Sequence, residues 1–95
     1  MQNTTILITN DGMGKADLAL QHKLIGKYLE IIQKNGSLPN AICFYADGVK
    51  LTVEGSPVLA QLAELEDNGV RLIICFTCLD YFGLTDKVKV GVVGG

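Results

Sequence analysis

The sequence predicts an α/β fold, a three-layer α/β/α sandwich built on a mainly parallel sheet. Three observations predict it: short runs of almost wholly apolar residues, helical periodicity between those runs, and joints of only a few residues. Residues 5–9, 41–46 and 70–76 are β-branched or aromatic and nearly continuous in apolar character. Such runs are expected of strands buried on both faces of a parallel sheet. Strictly alternating strands and helices then give layers joined by right-handed crossovers.

Each element has its own signal. Leu20, Leu24, Tyr28 and Ile31 recur at steps of four, four and three, and Leu18, Ile25, Leu29 and Ile32 fill the adjacent row. That is one amphipathic helix over residues 16–33, stopped at Asn35-Gly36 with Pro39 beyond. The second helix is expected to open with Ser56 as N-cap and Pro57 in its first position. Leu59, Leu62, Ala63 and Leu65 make its buried stripe, and Asn68-Gly69 ends it. A fourth strand is expected over residues 88–93. The whole chain, residues 1–95, reads as a single domain.

Composition excludes several function classes. With 48% apolar and 19% charged residues and a mean hydropathy of +0.32, the chain is not disordered. A net charge of −2 offers no general attraction to phosphate backbones, so no nucleic-acid partner is expected. No apolar run approaches the ~20 residues of a membrane helix. The first residues carry no basic segment ahead of an apolar stretch, so a cytoplasmic protein is expected. Three cysteines, an odd number, argue against a disulfide framework. The apolar content is high for so small a domain and points to self-association.

Ligands and reactive groups collect beyond the carboxyl ends of parallel strands. Three loops lie there: residues 10–15, 47–50 and 77–83. Gly12 and Gly14 in the first do not make a dinucleotide fingerprint, because position 17 is Asp, and no Gly-Lys-Ser/Thr ending follows. Asn10, Asp11 and Gly12 therefore read as a tight turn leading into a helix. Asp11, Asp47 and Asp80 suit turns or caps better than a metal site. His22, between Gln21 and Lys23, reads as a surface residue.

The third loop is the informative one. Cys75-Phe76-Thr77-Cys78 has no second cysteine pair with which to complete a zinc site. It follows the third strand, which is not where a thioredoxin-type pair would stand. Cys43 and Cys75, inside apolar runs, are expected to be small core hydrophobes. Cys78 lies past the strand end among Thr77, Asp80 and Tyr81 and is the candidate reactive thiol. Loop amides lower the pKa of such a thiol. Lys50 and Lys15 are the neighbouring cations, and Asp80 opposes them. No cofactor and no metal are expected.

These residues carry a family resemblance. Residues 8–14, Gly48-Val49-Lys50-Leu51, residues 53–56, Leu62 to Leu65 with Gly69-Val70, and above all Cys75-Phe76-Thr77-Cys78-Leu79-Asp80 with Tyr81, Gly83 and Leu84, then Val90-Gly91, stand in matching order over residues 5–91. In them the chain resembles the DsrE/DsrF-like family, most closely the C-terminal domain of YedF-type proteins of sulfur or selenium metabolism. The resemblance implies a DsrE-like, flavodoxin-like fold and a homo-oligomer, trimer or hexamer. It implies sulfurtransferase-like sulfur relay with a persulfide on Cys78, and donor and acceptor proteins, a TusA-like domain among them. Cys75, Thr77, Asp80, Lys50, Asn10, Asp11, Gly12 and Gly48 are the expected supporting residues. The chain is expected to be shorter than that family by a C-terminal helix and often a fifth strand. The alternative expectation is a non-catalytic oligomeric binding or assembly module of the same fold.

Overall fold

The computed structural model describes residues 3–94. Four strands, β1 (Thr5–Ile8), β2 (Ala41–Phe44), β3 (Arg71–Cys75) and β4 (Val92–Gly94), form one sheet in the order β1-β2-β3-β4. Every neighbouring pair is parallel. Helix α1 (Leu18–Asn35) joins β1 to β2. A 3-10 helix (Ala46–Thr52) and α2 (Leu59–Asp67) join β2 to β3, and the short α3 (Phe76–Tyr81) follows β3 directly. The α/β class with a parallel sheet is as the sequence predicts.

The caps account for where α1 begins and ends. Asp17 accepts the Leu20 N–H at 3.0 Å through its carboxylate, and Gly36 closes the helix in the left-handed region at φ 68°. The second helix starts later than predicted. Ser56 accepts the Val58 N–H at 3.2 Å and so shapes a turn ahead of the helix instead of capping it, and Val58 takes the cap position. The fourth strand is also displaced. Val88 forms an isolated antiparallel bridge with Val53. The chain then turns at Gly91, at φ 83°, whose N–H donates to the Glu66 carboxylate at 3.1 Å, before β4 begins.

A sheet whose strands succeed one another without reversal puts all its right-handed crossovers on one side. Accordingly α1 and α2 lie side by side, with Gln33 Nε2 donating to Glu64 Oε1 at 3.4 Å. Ile8, Ile42, Phe44, Leu72 and Ile74 from the strands join Ile25, Leu29, Ile32, Leu62 and Leu65 from the helices in one buried cluster. The alternate strand residues form a cross-sheet row, Leu7, Cys43, Ile73 and Val92. Leu7 is 58% exposed and Val92 67%, while Cys43 and Ile73 are half-buried. The described helices α1 and α2 thus supply one of the sheet's two outer layers. The apolar runs expected to be buried on both faces are not, and Cys43 is not a core residue.

Candidate functional site: the carboxyl edge of the sheet

The site is built where β1, β2 and β3 end. After β1, Asn10 organises the first loop: its side-chain amide donates to the Gly14 carbonyl at 2.6 Å, and its Oδ1 accepts the Asp11 N–H at 2.9 Å. Gly12, at φ 124°, lies against the Gln21 backbone so closely that a Cβ would stand 2.5 Å from it. That contact lets the first loop fold back onto α1, where Met13 N–H donates to the Gln21 carbonyl at 3.0 Å. The same fold-back brings Asp11 to His22, with Oδ1 2.9 Å from Nε2. His22 is therefore half-buried and paired, not the free surface residue expected from sequence.

After β2 the backbone turns sharply. The Tyr45 N–H still donates to the Ile8 carbonyl at 3.1 Å, but Ala46 adopts φ 51°, the one positive φ among the described non-glycine residues. Left-handed backbone costs an L-residue about 1–2 kcal/mol, and such strain persists only where surrounding contacts enforce it. Gly48 is one enforcing contact: a Cβ there would sit 2.1 Å from the Ile8 carbonyl oxygen. The 3-10 helix can lie over the end of β1 only with glycine at this position. Its first residue, Ala46, then donates its N–H to Cys78 Sγ at 3.1 Å.

Cys75 ends β3 and takes the N-cap position of α3, and Cys78 stands in the first turn. Both thiols are half-buried, which corrects the expectation of a core role for Cys75. Hydrogen bonding from Cys78, through its backbone first and its side chain second, and then from Thr77, favours the thiolate of Cys75. Together they hold the Cys75 thiol below its ordinary value, against the opposing effect of desolvation. The neighbouring Cys75 side chain pushes the Cys78 thiol up, and the Ala46 N–H draws it partly back. Of the two thiols, Cys75 is thus the more acidic (the reverse of the assignment suggested by sequence).

Lys50 takes a different part from the one expected. Its Nζ lies 2.9 Å from Asp47 Oδ1 and 4.4 Å above the Phe82 ring, a cation–π arrangement. Asp11, His22, Lys50, Glu54 and Phe82 border a cavity of about 330 Å³. Phe82 ties this cavity to the thiols, since its N–H donates to the Cys78 carbonyl at 3.2 Å. Asp80 is exposed, and its carbonyl accepts the Gly83 N–H. Asp11, Asp47 and Asp80 do not converge, and among the described residues no group of three or more His, Cys, Asp or Glu could hold a metal.

The predicted residues therefore fall into two adjoining groups. Cys75, Thr77 and Cys78 form the thiol cluster, completed by Ala46. Asp11 and Lys50 line the neighbouring cavity. Asn10, Gly12 and Gly48 act through backbone placement. Sequence reading missed Ala46 and His22. No residue type announces a strained alanine. His22 carried a weak signal, being next to Gln21 on the first turns of the helix that receives the loop.

Fold and site together define a small parallel α/β domain that presents a thiol pair at the carboxyl edge of its sheet. A model of the DsrE/DsrF-like family matches residues 2–95, and the chain belongs to that family. Among solved structures it is similar to a protein of unknown function, MTH1491 from Methanobacterium thermoautotrophicum. The TM-score is 0.70 at 19% identity, over 98% of this chain and 80% of that one. It is also similar to the ychN protein from E. coli, with a TM-score of 0.62 at 20% identity, over 100% of this chain and 85% of that one. Both likenesses concern the fold. Curated proteins give no match. No helix among the described residues is long and apolar enough to cross a membrane.

Proposed function

We propose that the chain is a sulfur-relay protein that carries sulfur as a persulfide on Cys78. The observation that carries this reading is the Ala46 N–H donated to Cys78 Sγ at 3.1 Å from a strained backbone. This fixed donor works against the larger upward push of Cys75 on the Cys78 thiol and steadies negative charge on its sulfur during exchange. Membership of a family linked to sulfur relay supports the same conclusion. Having lost its proton to solvent, the Cys78 thiolate attacks the outer sulfur of a donor persulfide. The donor's sulfur–sulfur bond breaks, the donor leaves as its thiolate, and the terminal sulfur stays on Cys78 as a persulfide for an acceptor. Such exchange is governed by thiolate fraction, intrinsic nucleophilicity and access. The donor and acceptor are proteins bearing thiols, a TusA-like domain being the expected type, and selenium is the alternative cargo.

The test is mass spectrometry of the full chain after exposure to a low-molecular-weight persulfide under anaerobic conditions. In a Cys75→Ser variant, where the added sulfur cannot pass to a second thiol, Cys78 is expected to gain the mass of one sulfur atom. Sulfur found on Cys43 alone, or on no cysteine, overturns the proposal.

A second reading, an oligomeric assembly module, is favoured by the exposed apolar row with Leu7 and Val92 at its ends. It predicts a homo-oligomer of unchanged size in a Cys78→Ser variant, read by light scattering. A monomer in that measurement removes this reading and leaves the first.

A further inference from the structure

Cys75 and Cys78 are three residues apart, one closing a strand and the other in the first turn of the helix that follows. Helical geometry sets Cα atoms at that spacing about 5 Å apart, inside the range a disulfide spans. Cys78 is also the chief influence that holds the Cys75 thiol below its ordinary value. The residue opposite Cys75 in β4 is Gly94, which brings no side chain over its sulfur. Cys43, in the middle of β2, has no part in the pair.

We propose that Cys75 is a resolving thiol, which discharges the Cys78 persulfide as inorganic hydrosulfide and leaves a Cys75–Cys78 disulfide. This rests on the persulfide reading and extends it to the product. The Cys75 thiolate attacks Cys78 Sγ, the inner sulfur. A bond forms between the two cysteine sulfurs, the bond from Cys78 Sγ to the carried sulfur breaks, and the carried sulfur leaves as HS⁻ with the proton it bore. The carried sulfur gains formally one electron and the Cys75 sulfur loses one, while Cys78 Sγ, bonded to one carbon and one sulfur throughout, keeps its oxidation state. A dithiol of the cellular reductant class returns the pair to thiols by ordinary exchange. The low thiol pKa of Cys75 suits it to the attack, because the thiolate is the nucleophile. The Ala46 N–H holds the electrophilic sulfur in place at the neighbouring strand end. A chain working this way supplies sulfide to a reaction that consumes it, and needs no acceptor thiol docked at Cys78.

The experiment compares the full-length wild type, Cys75→Ser, Cys75→Ala and Cys78→Ser after anaerobic addition of glutathione persulfide, with circular dichroism to establish folding. The wild type is expected to release hydrosulfide, to lose the mass of two hydrogens, and to resist alkylation at both cysteines until a dithiol is added. Cys75→Ser and Cys75→Ala are expected to keep the extra sulfur on Cys78, and their hydrosulfide release falls to the level of Cys78→Ser. A wild type that retains the extra sulfur on Cys78 with Cys75 still open to alkylation overturns the resolving role and leaves the carrier reading standing. If neither Cys75 variant takes up sulfur at Cys78, the carrier reading falls, and the resolving role falls with it.

Discussion

Two pairs of glycines, one at each end of the sheet, are held to different tolerances. At the carboxyl edge, Gly12 and Gly48 are pressed against backbone, where an added Cβ would stand 2.5 Å and 2.1 Å from its nearest neighbours. Around them lie the strained Ala46 and the Asp11–His22 pair. At the amino edge, Gly36 and Gly69 have no atom within 4 Å of the Cβ position. They serve only the left-handed turns that close α1 and α2, with N–H groups donated to Gln33 and Glu66. Chain reversal needs no more than this. The added crowding at Gly48 accompanies the placing of one backbone N–H on one sulfur; Gly91, likewise held against Leu72 ahead of β4, serves the sheet alone.

Gly48→Ala is the sharpest attack on that contrast. The new methyl meets the Ile8 carbonyl, which is backbone and already accepts the Tyr45 N–H, so it has little room to yield. Overpacking of this kind costs 1–3 kcal/mol and occasionally more. A loss of about 3 kcal/mol is expected in urea unfolding, together with loss of sulfur uptake at Cys78 as Ala46 is displaced. Gly12→Ala, with the same kind of clash and a φ of 124°, is expected to follow closely. An unfolding midpoint that does not move in either variant would show the crowding to be dispensable.

Much of this architecture was legible in the sequence. Strands β1 to β3 and helix α1 followed from apolar runs and periodicity, and Cys78 stood out because it lies beyond a strand end. The one-sided covering of the sheet was not legible, because strand order decides which face receives the helices, and local pattern does not encode order. Leu7 and Cys43 therefore look like core residues in sequence and are not. The start of α2 was misplaced because Ser56 can cap a helix or close a turn with the same hydroxyl. The acidity of the thiol pair was hidden for a related reason: which of Cys75 and Cys78 is the more acidic depends on the backbone and side-chain groups of Cys78, Thr77 and Ala46 around them. Lys50 looked like a partner for sulfur but is engaged by Asp47 and Phe82.

A smaller effect tests the site without disturbing the fold. The Cys75 thiol lies below its ordinary value and Cys78 above it. As pH falls from the alkaline side, Cys78 is expected to take up its proton first and Cys75 last. Alkylation by iodoacetamide, followed residue by residue, should therefore persist at Cys75 to lower pH than at Cys78. In Cys78→Ser the serine hydroxyl is a harder, differently placed donor, and the Cys75 profile should move to higher pH. In Cys75→Ser the Cys78 profile should move down, since the neighbour that raised it is gone. Identical profiles at the two cysteines would show the thiols to be equally acidic and remove the distinction drawn between Cys75 and Cys78.

The smallest expected change belongs to the amino edge. Gly36→Ala adds a methyl into open space, so no clash accompanies it. What remains is the preference of an L-residue against φ 68°, worth about 1–2 kcal/mol. Against this, alanine narrows the unfolded chain, which returns about 0.4–1 kcal/mol. The net is a loss of between about 0 and about 1.6 kcal/mol, seen as a small drop in the urea midpoint with an unchanged slope. Sulfur uptake at Cys78 should be untouched, because the sheet separates Gly36 from the thiols. A Gly36→Ala variant that lost uptake while remaining folded would join the two edges and erase the distinction, since no contact described at the amino edge reaches Ala46, Cys75 or Cys78.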